Sequence, residues 1–195
     1  MIIWLNGAFG SGKTSCAYEL KRRIPNSYVY DPENIGYFIF KNIPYGMRKN
    51  DFQDYEQWRI FNYSILKEMY RSYSGTIIVP MTIVNPQYYD EIIQRLINDG
   101  INLKHFILYA GKTTLQKRLN KRLERGETWG KRNIDRCIYA FDNYITETKI
   151  ITDEKSIDDI VEEIAEKSGL VLIPDKRGRI RKEIDRIIVL LKHIR

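Results

Sequence analysis

Short apolar runs alternate with longer stretches of mixed apolar and polar residues along this chain. The first run, Ile2-Ile3-Trp4-Leu5, is followed by glycines and reads as a buried strand. Lys13 to Arg23 reads as a helix, stopped by Pro25. A second strand, Ser27-Tyr28-Val29-Tyr30, ends at Asp31-Pro32. From about 33 to 74 the spacing is mostly helical, with breaks at Pro44 and Gly46. Thr76-Ile77-Ile78-Val79 is a third strand, apolar on both faces as in a covered parallel sheet. Asn85-Pro86 places an N-cap before a proline at the first helical position, opening a helix that Gly100 closes. Leu103 to Tyr109 is a fourth strand, and Thr113 with Gln116 reads as a capping box for the helix after it. Lys149-Ile150-Ile151-Thr152 is a fifth strand, and Ser156 with Asp159 caps a helix that ends before Gly169.

Strands separated by helices of ten or more residues are βαβ units. They predict an α/β fold with about five strands, mostly parallel, and helices on both faces. No linker divides the chain, so residues 1–172 read as one domain, with an appended helix at 176–195.

The chemistry begins where the first strand meets the first helix. Gly7-Ala8-Phe9-Gly10-Ser11-Gly12-Lys13-Thr14 matches G-x-x-x-x-G-K-[ST], which makes this a P-loop NTPase fold. Glycines let successive backbone N–H groups converge on phosphate oxygens, and the helix presents its positive end to the same anion. The expected phosphate contacts are Gly7, Ala8, Phe9, Gly10, Ser11, Gly12, Lys13, Thr14 and Ser15. Lys13 reaches the outer phosphates, and the Thr14 hydroxyl is the expected Mg²⁺ ligand.

Two absences narrow the reaction. The chain has no Asn-Lys-x-Asp, and no Asp-x-x-Gly directly follows the third strand, as one would in a switch GTPase. The third strand also ends Pro80-Met81-Thr82, without the acidic residue usual in motor and transport ATPases. That leaves small-molecule kinases, where an Asp at the end of the second strand does acid–base work. Asp31 stands there, as general base or as the first residue of a turn, with Glu33 as its substitute.

In Leu115 to Arg125, Leu115, Leu119 and Leu123 form a core stripe, while Arg118, Arg122 and Arg125 line another face. This reads as an arginine-rich lid at about 117–136, or as a solvated basic face. In the lid reading at least two of Arg118, Arg122, Lys131, Arg132 and Arg136 touch phosphate, and Arg118 and Arg122 are taken as catalytic. In the helix spanning Asp51 to Tyr70, Trp58 and Arg59 are candidate substrate contacts beside Asp31 and Glu33, or else core residues. His105 and His193 read as structural, and no Cys/His cluster suggests zinc.

Charge then separates body from tail. The net charge is +7, but residues 175–195 carry eight basic and three acidic side chains, which is five of those seven charges. The body is close to neutral, so nucleic acid is not an expected partner. In the tail, Ile180, Ile184, Ile187, Ile188 and Leu191 form one helical stripe, which Val189, Leu190 and Ile194 widen, with basic residues over much of the rest. That pattern fits a peripheral membrane element or a helix docked on the sheet by its apolar stripe. With no signal peptide, no apolar run of about 18 residues and only Cys16 and Cys137, the expected location is the reducing cytoplasm.

The strings MIIWLNGAFGSGKT, SYVYDPENIG, NDFQDYEQWRIFNYS, IIVPMTIVNPQYY, IDRC and RGRIR…LLKHIR resemble the tunicamycin-resistance ATP-binding protein family, in order and through nearly the whole chain. The resemblance implies ATP as ligand of Gly7, Gly12, Lys13 and Thr14, and protection of a bacterial cell from tunicamycin. Tunicamycin is a uridine-containing antibiotic with sugar and fatty-acyl parts. The resemblance also implies membrane association through the C-terminal helix, at the inner face of the cell membrane. Two functions follow as expectations: an ATP- and Mg²⁺-dependent kinase acting on a hydroxyl of the drug, or ATP-dependent capture of the drug without covalent change.

Overall fold

In the computed structural model, which describes residues 1–121 and 128–192, five strands lie in the order β2-β3-β1-β4-β5. They are β1 (Ile2–Gly7), β2 (Ser27–Val29), β3 (Thr76–Pro80), β4 (Leu103–Tyr109) and β5 (Thr148–Ile151), and every pairing is parallel. Helix α1 (Lys13–Arg23) carries the chain from β1 to the sheet edge, where β2 lies. Next come α2 (Glu33–Asn42), single 3₁₀ turns at Tyr45–Met47 and Phe52–Asp54, and α3 (Glu56–Ser72). Helices α4 (Pro86–Tyr89) and α5 (Arg95–Asn98) flank a π-helical turn at Asp90–Gln94 and lead back across β1 to β4. The remaining helices are α6 (Lys112–Asn120), α7 (Trp129–Arg132), α8 (Ile134–Asn143), α9 (Ile157–Ser168) and α10 (Arg179–Lys192). Strand order reverses at β1, which leaves a crevice at the carboxyl ends of β1 and β3.

The period of two in a strand sorts β1 onto two cores. Ile2 and Trp4 join Trp58 and Leu66 of α3, Leu115 and Leu119 of α6 and Phe141 of α8. Ile3 and Leu5 join Cys16, Ala17 and Leu20 of α1 and Ile160, Val161 and Ile164 of α9.

Several caps stand where the sequence puts them. The Asn85 side chain accepts from the Gln87 N–H with Pro86 at the first helical position, Ser156 and Asp159 form a reciprocal box, and Gly169 ends α9 in the left-handed region. The Thr113–Gln116 box is a correction. Helix α6 starts two residues earlier than that box implies, after Gly111, whose N–H donates to the Asp153 carboxylate at 3.0 Å. A carboxylate from the loop after β5 thus takes the capping role, and Thr113 lies inside the first turn.

Helix α10 packs against α1 with its amphipathic faces reversed. Asp185 and Val189 are buried, while Ile180, Ile184, Ile187, Ile188 and Leu191 are exposed. Ion pairs hold it down. Arg177 donates to Asp175 at 2.7 Å, to Asp185 at 2.8 Å and to Glu19, whose side chain is 2% exposed. Arg186 reaches Asp158 at 2.7 Å and Glu19 at 3.4 Å, and Lys182 reaches Asp158 and Asp175 at 3.2 and 3.3 Å. The docked reading from sequence had the apolar stripe filling the core. Here the buried side of the helix is largely charged, because α1 and the start of α9 offer carboxylates to it. Among the described residues no helix is long and apolar enough to cross a membrane.

Candidate phosphoryl-transfer site

The loop between β1 and α1 is pinned before any ligand arrives. Asn6, fully buried, accepts from the Gly7 and Ile83 N–H groups at 2.9 and 3.0 Å and donates to the Ile83 carbonyl at 2.8 Å. The Thr82 hydroxyl donates to the Gly7 carbonyl at 2.8 Å. Gly7 has φ +144°, and a Cβ there would lie 2.6 Å from the Leu108 carbonyl oxygen, so only glycine fits. Lys13 Nζ donates to the Gly7 and Ala8 carbonyls at 2.9 and 3.0 Å and lies 5.4 Å from the centre of the Phe9 ring.

A cavity of about 480 Å³ opens over this loop. Phe9, Gly10, Gly12, Lys13, Thr14 and Ser15 line one side of it, and Asp31, Glu33, Pro80 and Thr82 line the β2 and β3 side. Gly7, Ala8 and Ser11 stand behind that lining: Ser11 is 1% exposed, and Gly7 and Ala8 contribute carbonyls to Lys13. Asp31 opens a turn and also faces the cavity. It lines the cavity, and its Oδ1 accepts from the Glu33 N–H at 3.0 Å. Tyr37 donates to Glu33 at 3.4 Å.

Trp58 and Arg59 are corrections. Trp58 is fully buried and its indole donates to the Pro32 carbonyl at 3.0 Å. Arg59 is buried, pairs with Glu91, donates to the Gln53 carbonyl at 2.7 Å and stacks 4.4 Å from the Tyr88 ring centre. Neither lines the cavity. Trp58 is buried in the core beneath the sheet and Arg59 among Gln53, Tyr88 and Glu91, and they brace the loops that carry Asp31 and Gln53. Arg118 is likewise outside the lining, because its guanidinium donates to the Thr152 hydroxyl at 3.0 Å and to the Thr152 carbonyl. Arg122 and Arg125 lie outside the described residues. Of the segment expected to act as a lid, Thr128, Trp129 and Gly130 line the cavity, with Trp129 edge-on to Phe9 at 5.0 Å.

Sequence reasoning missed Trp129, Thr82, Tyr37 and Leu190 as lining residues. It also missed a second chamber of about 210 Å³ that shares Phe9, Glu33, Tyr37, Thr82 and Trp129 with the first and continues to Asn50, Asp51 and Phe52. Burial pushes the Asp51 carboxyl above its ordinary value, against the pull of the Gln53 N–H. One available signal was the Asn-Asp pair opening a 3₁₀ turn before α3.

The oxygen donors at the cradle suit Mg²⁺: the Thr14 hydroxyl and the Asp31 carboxylate line the same cavity, as a hard cation needs. The other group of carboxylates, Glu19, Asp158 and Asp175, is already neutralised by Arg177, Lys182 and Arg186.

The structure is similar to the tunicamycin resistance protein of Deinococcus radiodurans, with a TM-score of 0.76 and 30% identity over 89% of this chain and 98% of that one. It is also similar in fold to the shikimate kinase of Bacteroides thetaiotaomicron (TM-score 0.60, 17% identity, 87% and 99% covered). A gluconokinase of Sinorhizobium meliloti 1021 shares the fold as well (TM-score 0.57, 15% identity, 86% and 90% covered). No protein-family model and no curated protein matches the chain.

Proposed function

The chain belongs to the tunicamycin-resistance protein family, and from that premise we propose that it is an ATP- and Mg²⁺-dependent phosphotransferase acting on a hydroxyl of a nucleoside antibiotic of the tunicamycin type. One observation carries the reading. Lys13, Thr14 and Asp31 line a single cavity, and a second chamber adjoins it through Phe9, Glu33, Tyr37, Thr82 and Trp129. A phosphoryl donor on the P-loop and a hydroxyl beside Asp31 would share that space.

The N–H groups of Gly10 to Ser15 and the start of α1 bind the donor phosphates. Lys13 leaves the Gly7 and Ala8 carbonyls for the outer phosphate oxygens and neutralises charge as it develops on them. The Thr14 hydroxyl is the group that would hold Mg²⁺, and a bound ion would supply Lewis-acid neutralisation of phosphate charge. Asp31 accepts the proton of the attacking hydroxyl, and Glu33 lies two residues away on the same cavity wall. Trp129, against Phe9, shields the reacting groups from water.

Mass spectrometry of tunicamycin after incubation with the protein and Mg-ATP tests this. A gain of one phosphate is expected, and unchanged drug bound stoichiometrically would overturn it in favour of capture. One observation favours capture at a membrane: the exposed stripe Ile180, Ile184, Ile187, Ile188 and Leu191 on α10. In either reading α10 is the proposed peripheral membrane element, its apolar stripe entering the interface while its charged side stays on the body.

A further inference from the structure

The second chamber has a composition unlike that of the first. Its walls are the rings of Phe40, Phe52 and Trp129 with Met81, and its polar lining includes the adjacent pair Asn50 and Asp51. At about 210 Å³ it falls below the roughly 300–1,000 Å³ of a cavity that encloses a whole ligand. It therefore suits one ring of a larger molecule, whose remainder extends into the 480 Å³ cavity beside it.

The aromatic wall is fixed in place. Phe52 packs on Gly36 so closely that a Cβ there would come within 2.4 Å of the ring. Trp58, Phe40 and Tyr37 surround Phe52 with ring centres at 5.5, 5.9 and 6.1 Å. Asp51 is fixed too, because its Oδ1 accepts from the Gln53 N–H at 2.9 Å as the cap of the 3₁₀ turn. Its second oxygen carries the remaining accepting capacity, and the Asn50 amide next to it both donates and accepts.

We propose that this chamber is the nucleobase subsite, in which a planar ring lies against Phe52 and its edge is read by Asn50 and Asp51. An edge with a ring N–H beside a carbonyl is complementary: the N–H donates to Asp51 and the carbonyl accepts from the Asn50 amide. That is the lactam or imide edge of a uracil-type base. With Oδ1 already accepting from the Gln53 N–H, a ring N–H donating to the other oxygen offsets the remaining desolvation of this half-buried carboxylate. The inference deepens the phosphotransferase reading and rests on it only for which substrate enters. Whether the base binds is separable from whether phosphate is transferred.

The probes are uridine and N3-methyluridine, which differ in the single ring N–H. Calorimetry on the full chain with a non-hydrolysable Mg-ATP analogue bound measures each. Uridine is expected to bind at least about tenfold more tightly, the worth of one hydrogen bond to a charged group. Equal affinities, or no binding of either, would overturn the subsite. Asp51→Ser keeps a capping hydroxyl and removes the carboxylate's reach. In it the ratio should fall to about one, which a purely structural role for Asp51 would not produce, and a retained ratio would also overturn the assignment. If the variant fails to fold, the wild-type pair decides alone. Phosphorylated tunicamycin with no uridine discrimination sinks the subsite and spares the phosphotransferase; discrimination with unchanged drug does the reverse.

Discussion

The phosphate cradle and the C-terminal helix both lean on α1, and they use charge in opposite ways. At the cradle, backbone N–H groups and Lys13 gather over a cavity that waits for an anion. At α10 the protein supplies its own anions: Glu19, Asp158, Asp175 and Asp185 neutralise Arg177, Lys182 and Arg186, and the apolar stripe faces outward. The lesson is that a basic segment becomes an anion site only where no internal carboxylate reaches it. The two regions also meet, since Leu190 of α10 lines the phosphate cavity.

The sharpest test of the contrast is Lys13→Ala. Loss of a cation aimed at developing charge is expected to lower turnover about 10²- to 10³-fold with an unchanged melting temperature. Full activity in steady-state assays would break the reading of the cradle. Asp31→Asn keeps shape and removes basicity, so turnover should fall about 100-fold while ATP affinity, measured by titration, stays near wild type. Survival of turnover would leave Asp31 a turn residue and make Glu33 the base.

At α10 the same kind of change should act on stability instead. Arg177→Met strips Glu19 of one of its two cations and is expected to cost roughly 3 kcal/mol. The readout is a melting temperature lower by several degrees and faster proteolysis within residues 176–192. Acid should reach this network late. Arg177 and Lys182 hold the Asp175 carboxyl well below the usual range, and Arg177, Arg181 and Arg22 lower that of Asp185. A carboxyl depressed in the folded state gives stability that is complete above its unfolded value, about 3.9, and that fades as pH falls through the folded value. Protease resistance of α10 should thus persist at pH 4 and fail only in stronger acid. The smallest effect on the fold is expected from Ile184→Ser with Ile187→Ser. Both side chains are exposed, so stability should move by no more than about 0.5 kcal/mol each. Sedimentation with anionic vesicles should nevertheless drop, and unchanged pelleting would show that the stripe meets something other than lipid.

Much of this was legible without coordinates. The five strands, the P-loop between β1 and α1, and the caps at Asn85 and Ser156 follow from period, spacing and local hydrogen bonding, which a residue and its near neighbours decide. Asp31 could be placed because strand ends in a parallel sheet share one edge. Tertiary packing alone decided the rest. From the chain alone Trp58 and Arg59 could be ligand contacts or core residues, and only packing decides: the core beneath the sheet takes Trp58, and Gln53, Tyr88 and Glu91 enclose Arg59. Arg118 belongs to a basic run, yet the end of β5 brings it Thr152. The stripe on α10 fits a membrane-facing helix or one docked by its apolar face, and the carboxylates that hold its charged side down come from Glu19 and Asp158, 158 and 24 residues away from their partners Arg177 and Lys182. An amphipathic pattern states which residues share a face. Which face is buried depends on the charges and surfaces that distant segments bring to meet it, and no local period encodes that.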